Sequence, residues 1–194
     1  RHPYVQALEE GKIGRESLRL FAGEQYNIIA SALKSVAYLV SRFGSAPSRD
    51  FFLGILQGER AAWDALLTFA HALGLGETQL REHEPLPGAH AYTCYMAWLA
   101  LYASDAEIAA AYLVNFRAWG ENCGRLSRIL KERFGLGENE VVFFDLGLGD
   151  ALVGRLDRRD RVHRDGAGAY DAAPRLDEDS GTCGKMIAGR ADQA

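Results

Sequence analysis

Apolar side chains recur at three-, four- and five-residue steps through the first two thirds of the chain. Between residues 13 and 43, Leu18, Phe21, Tyr26, Ile29, Leu33, Val36, Val40 and Phe43 keep that spacing, which is mainly the period of one buried helical face. "GSAPS" (44–48) breaks it, and Ser48, after Pro47, is the expected N-cap of a second long helix over 49–73. That helix reads as apolar nearly all round, hence well buried, with "GLG" (74–76) as its expected C-cap. A turn of helix is predicted over 77–82, a loop at "EPLPG" (84–88), and a third, strongly apolar helix over 89–103. Ser104 and Glu107 form the S-x-x-E capping box of a fourth helix, which runs to about Arg133 and stops at Gly135 and Gly137. "EVVFFDL" (140–146) has the composition of a strand. It is short and solitary, so it is read as a loop or the start of a further helix. The predicted class is all-α, a helical bundle.

The pattern ends near Gly147. From Ala151 to Ala194 there are eight Lys/Arg, eight Asp/Glu, six Gly and one aromatic residue, Tyr170. Such a segment buries too little apolar surface to offset its ordering entropy. The expected organisation is a helical domain over 1–149, truncated at its C-terminal side, and an irregular or disordered polar tail over 150–194. The abrupt switch leaves a shifted reading frame as the alternative source of that tail. The chain also starts at Arg1 rather than Met, as a fragment would.

Composition narrows the function classes. With 194 residues, 48% apolar and 25% charged, the chain is in the ordinary globular range. A net charge of −4 offers no basic face to a phosphate backbone, so no nucleic-acid partner is expected. No apolar run reaches the roughly 18 residues of a membrane span, so no membrane partner is expected either. Cys94, Cys123 and Cys183 lack CxxC spacing. They fit a reducing cytoplasm better than a disulfide framework or a zinc site.

Three acids, Glu24, Glu59 and Glu121, fall inside apolar helices. A carboxylate there needs a partner, a metal or a wet cavity. Glu59 follows Gly58, with Trp63 one turn on, and Glu121 lies in "WGENCG". Two acids on separate long helices can face each other across a bundle, so Glu59 and Glu121 are the candidate acid/base pair of an internal pocket. Tyr92, Tyr95, Trp98, Phe116 and Trp119 supply rings for a flat ligand. The histidines have no ligand spacing and read as surface or capping residues. No metal ligands are assigned, and the cofactor is unknown.

"HPYVQALEEGKIGRESLRLFAGEQYNII" and "AYTCYMAWLALYASDAEIAAAYLVNFRAWGENCGRLSRIL" resemble the opening and the central helix pair of the TenA/THI-4 (thiaminase II) and PqqC-like family. The resemblance covers about 2–146 and implies the haem-oxygenase-like fold, an all-α bundle with a cavity between helices. It is similar in "VNFRAWGE" to the thiaminase nucleophile element: Gly120 and Glu121 keep the pattern, Trp119 stands for a tyrosine, and Asn115 stands for the cysteine. An amide cannot attack as a thiolate does, so thiaminase activity is not expected. Gln25 stands where the family has an aspartate, beside Tyr26, and Tyr92 matches a ring-contacting tyrosine. The expected ligand set is therefore Tyr92, Trp119, Asn115, Gln25, Tyr26, Tyr95 and Trp63 around Glu59 and Glu121. The expected role is binding of a small heterocyclic or aromatic molecule by a homo-oligomer, whether or not it is catalytic. Two alternatives stand: a di-iron oxidase relative with a degenerate metal site, and a non-catalytic regulatory binder.

Overall fold

The computed structural model describes residues 2–146. The expectations for 150–194, low order or a shifted frame, lie outside them. Within them the chain is helical and contains no strand. The elements are α1 (Pro3–Glu9), α2 (Arg15–Arg42), α3 (Arg49–Ala72), α4 (Glu77–Arg81), α5 (Pro87–Tyr102), α6 (Asp105–Phe134), a 3₁₀ turn (Glu138–Glu140) and α7 (Val142–Asp145). The "EVVFFDL" run is thus a helical turn that drives Phe143 and Phe144 into the core. Its composition is strand-like because its side chains are buried, not because it pairs.

Local chemistry sets the helix ends. His2 Nδ1 accepts from Tyr4 N, so His2 caps α1, with Pro3 at the first helical position. Ser104 and Glu107 close the reciprocal capping box at the start of α6. Gly135 ends α6 at φ 68°, where a Cβ would be strained. Ser48 is the N-cap residue of α3, as expected, but its buried hydroxyl makes no capping bond. Arginines satisfy carbonyls at other ends. Arg19 donates to Leu73 O, Arg42 to Ala100 O and Arg133 to Leu8 O, each tying the end of one helix to another element.

α2 is the spine, packed on α3 and α5, while α6 packs on α1 and α7. Helix α3 is amphipathic rather than apolar all round: Gln57, Arg60, Asp64, Thr68 and His71 form an exposed stripe. The apolar interior falls into two clusters. One gathers Leu8, Leu18, Phe21, Leu66, Phe69, Leu130 and Phe144. The other gathers Val36, Leu39, Phe52, Ile55, Ile108, Tyr112 and Phe116. Helices α2, α3 and α6 contribute to both, so the core is interrupted partway along the bundle. On α3 the residue between Ile55 and Ala62 that stays buried is Glu59.

The loop after α4 is latched to α2. Glu24 is fully buried and accepts from His83 Nε2 at 2.6 Å and from Leu86 N through both carboxylate oxygens. Asn27 Nδ2 donates to Gly23 O and His83 O. Gly23 makes room for the imidazole: a Cβ there would lie 2.5 Å from His83 Cγ. Gly→Ala inside a helix ordinarily stabilises. Here Gly23→Ala is expected to destabilise by about 1–3 kcal/mol through overpacking, measured by urea unfolding, because the methyl displaces His83 from Glu24.

Candidate functional site

Glu59 is 9% exposed. No hydrogen bond or ion pair reaches it among the described residues. Burial lifts its carboxyl to about 7, with no neighbouring charge contributing. It is therefore poised between acid and carboxylate near neutrality, the condition for proton exchange with a ligand.

One group from another long helix, Tyr112, is coupled to it electrostatically, and Tyr112 in turn to Tyr92. Tyr112, on α6, is buried, and its hydroxyl is held well above its ordinary value, first by burial and then by the charges of Glu59 and Tyr92. It stays a neutral phenol that can donate. Tyr92, on α5, accepts from Asn115 Nδ2 at 3.3 Å, so the amide and the second phenol form one polar unit. One turn beyond Glu59, Trp63 packs its ring 4.6 Å from that of Tyr26 on α2. Gln25, next to Tyr26, is 4% exposed. Helices α2, α3, α5 and α6 thus all send polar or aromatic groups into the interior. Tyr112 went unassigned in the sequence because it reads there as one more apolar position of α6.

Four expectations are corrected. Glu121 does not face Glu59: its side chain is 76% exposed and lies 4.0 Å from Arg117 one turn back. Arg117, Glu121, Gly124 and Arg128 follow the helical period along the exposed side of α6. Arg125, its other possible partner, binds Glu9 instead. Tyr95 is 54% exposed and points away from the interior, as does Trp98. Trp119 is half-buried but belongs to the first cluster, stacked on Phe21 at 6.2 Å and edge-on to Phe143, apart from the Tyr92–Asn115 unit. His83, read as a surface or capping residue, is the partner of Glu24. A glycine beside an acid in an apolar helix (Gly23, Glu24) was the available signal.

Among the described residues no group of three or more His, Cys, Asp and Glu side chains could hold a metal ion. No helix there is long and apolar enough to cross a membrane. A shallow open groove of about 250 Å³ lies between α2 and α5, beside Asn27, Lys34 and His90, and contains none of the expected ligand residues.

Comparison with known proteins adds three findings. The profile of the TENA/THI-4/PQQC family matches residues 1–140. Among solved structures, a domain of unknown function with a heme oxygenase-like fold from Shewanella denitrificans OS217 superposes with a TM-score of 0.68 at 13% identity. The match covers 96% of this chain and 78% of that one. At that identity the likeness establishes the fold alone: an all-helical, haem-oxygenase-like bundle. No curated protein sequence matches significantly.

Proposed function

The chain belongs to the TENA/THI-4/PQQC family, and from that premise we propose that it binds a small heterocyclic or aromatic molecule at the polar level around Glu59. The observation that carries this reading is a buried carboxyl with no protein partner among the described residues, raised to about 7. A purely structural acid would be paired, as Glu24 is with His83. An unpaired one suits a ligand that brings its own donor or acceptor, such as a ring nitrogen or an exocyclic amine. Tyr112, Tyr92 and Asn115 supply further hydrogen-bonding groups, and Tyr26 with Trp63 offers aromatic surface.

Cleavage by a cysteine nucleophile is not part of this proposal, because Asn115 stands where the resemblance places the thiol. The amide instead orients Tyr92. A di-iron site fits the residues poorly. Glu59 and the outward Glu121 are not brought together, and no three-ligand cluster accompanies either among the described residues.

Isothermal titration with 4-aminopyrimidine, thiamine and a quinone, at pH 6 and pH 8, tests the reading. At least one ring compound is expected to bind, with an affinity that changes between the two pH values. Tyr92→Phe and Asn115→Ala should each weaken it about 5- to 10-fold, the worth of one hydrogen bond of about 1–1.4 kcal/mol. Glu59→Gln should abolish the pH dependence. Silence from every ring compound, or affinities that ignore all three substitutions, overturns the proposal. A response to ferrous iron alone favours the oxidase alternative.

A further inference from the structure

Away from the Glu59 level, α2 and α5 meet along the groove beside Lys34. Its polar lining is Asn27, Ser31 and Lys34 from α2, with His90 and Thr93 from α5. The first three recur at steps of four and three, so they share one face of α2. His90, Thr93 and Cys94 share one face of α5 in the same way. Cys94 is exposed, and its Sγ lies 3.6 Å from His90 Nε2, within hydrogen-bonding range for sulfur. Thr93 Oγ1 donates to His90 O and not to the ring, so the thiol is the ring's hydrogen-bonding partner among the described residues. Lys34 makes no ion pair and no side-chain hydrogen bond among the described residues. Helix α5 brings no carboxylate to neutralise it, since no Asp or Glu occurs between Glu84 and Asp105.

We propose that this groove is a thiol-exchange site for small disulfides that carry a carboxylate. Cys94 is its nucleophile, His90 the proton acceptor and Lys34 the anchor for the carboxylate. A thiol in contact with an imidazole can pass its proton to the ring, and the thiolate is the attacking species. The unpaired ammonium on the facing helix gives the groove one positive charge, which favours an anionic ligand. The groove, about 250 Å³, is smaller than the about 300–1,000 Å³ of a drug-sized pocket, so it suits a half-disulfide of amino-acid size. In the exchange, the thiol proton moves to His90 and the Cys94 sulfur attacks one sulfur of the ligand. The ligand's S–S bond breaks as the new one forms, and the released thiolate takes the proton back from His90. Cys94 is thereby oxidised to a mixed disulfide while the departing half is reduced to a thiol, so no other oxidant is required. Cys123 is buried and closed to the same reagents. The site is separate from Glu59 and does not depend on ring binding there.

Three small disulfides of different charge test the proposal on the full chain carrying Cys183→Ser: dithiodipropionate (anionic), hydroxyethyl disulfide (neutral) and cystamine (cationic). Mass spectrometry follows the adduct, and each rate is divided by that of the free thiol N-acetylcysteinamide with the same reagent. With dithiodipropionate, Cys94 should react about tenfold faster than the free thiol. The normalised rates should fall from the anionic to the neutral to the cationic reagent, and Cys94→Ser should abolish the adduct. Lys34→Met should slow dithiodipropionate alone by about two- to fivefold, the worth of one exposed ion pair. His90→Gln should slow all three reagents by a common factor. Both side chains are exposed, so the helical circular dichroism spectrum should not change; Lys34→Gln and His90→Ala serve if it does. Three results would overturn the proposal: a Cys94 no faster than the free thiol, normalised rates that ignore reagent charge, or rates unmoved by the His90 and Lys34 substitutions.

Discussion

Glu59→Gln is expected to stabilise the folded chain by about 2–3 kcal/mol at pH 8, while changing little at pH 4.5. The direction follows from which form burial favours. The folded carboxyl titrates near 7 against 4.5 for the free side chain. Between those values the folded state holds a proton that the unfolded state has released. Stability is therefore greatest at acid pH, falls as pH rises through this window, and is level above it. The full loss is about 3 kcal/mol, since each tenfold change in proton affinity is worth about 1.4 kcal/mol. Glutamine keeps the shape of the protonated acid and cannot ionise, so the slope disappears. For a chain of this size the gain at pH 8 is about 4–12 °C in melting temperature. Urea unfolding at both pH values checks it. An equal change at both, or a loss at pH 8, would mean that the carboxylate is solvated or paired in the folded protein. The same experiment bears on function, because a site that costs stability near neutral pH implies a compensating role for the acid.

The helices were legible because their period, caps and breakers are local properties. Ser104 with Glu107, Gly135, and the spacing from Leu18 to Phe43 each carry their own signal. The family was legible in short motifs across the matched region. What a single sequence conveys poorly is which way a helix faces when both its sides are apolar or both are polar. In α6, Glu121 sits among small and aromatic residues that resemble a pocket wall, yet it shares a solvated stripe with Arg117 and Arg128. The period of those charges was present, but glycines and a tryptophan beside the acid outweighed it. In α5 the ambiguity is complete, since Tyr92 and Tyr95 are chemically alike, and only packing against the neighbouring helices decides which turns inward. Glu59 was recognisable because the apolar positions before and after it leave an acid little choice. Its neighbour Tyr112 was not, because nothing in the sequence relates a phenol on α6 to a carboxyl on α3.

His83→Ala should cost about 1–3 kcal/mol, the penalty for leaving a buried polar group short of a hydrogen-bond partner. Glu24 is fully buried, and without the imidazole its carboxylate keeps only the Leu86 amide. Glu24→Gln alone should be milder, about 1–1.5 kcal/mol, since the amide oxygen still accepts from Leu86 and only charge-assisted bonding is lost. The decisive construction is the double variant. With glutamine already at position 24, removing His83 strands a weaker acceptor than a carboxyl oxygen. The double substitution should therefore lose at least about 1 kcal/mol less than the sum of the singles. Additive losses would show that His83 acts only by filling space. The pair also anchors the segment leading into α5, which begins at Pro87 and carries Tyr92. Amide hydrogen exchange in the first turns of α5 should accelerate in His83→Ala. Ligand binding should weaken in parallel, although His83 belongs to the latch and not to the polar level around Glu59. In this way a contact on α2 sets how firmly Tyr92 and Asn115 are presented.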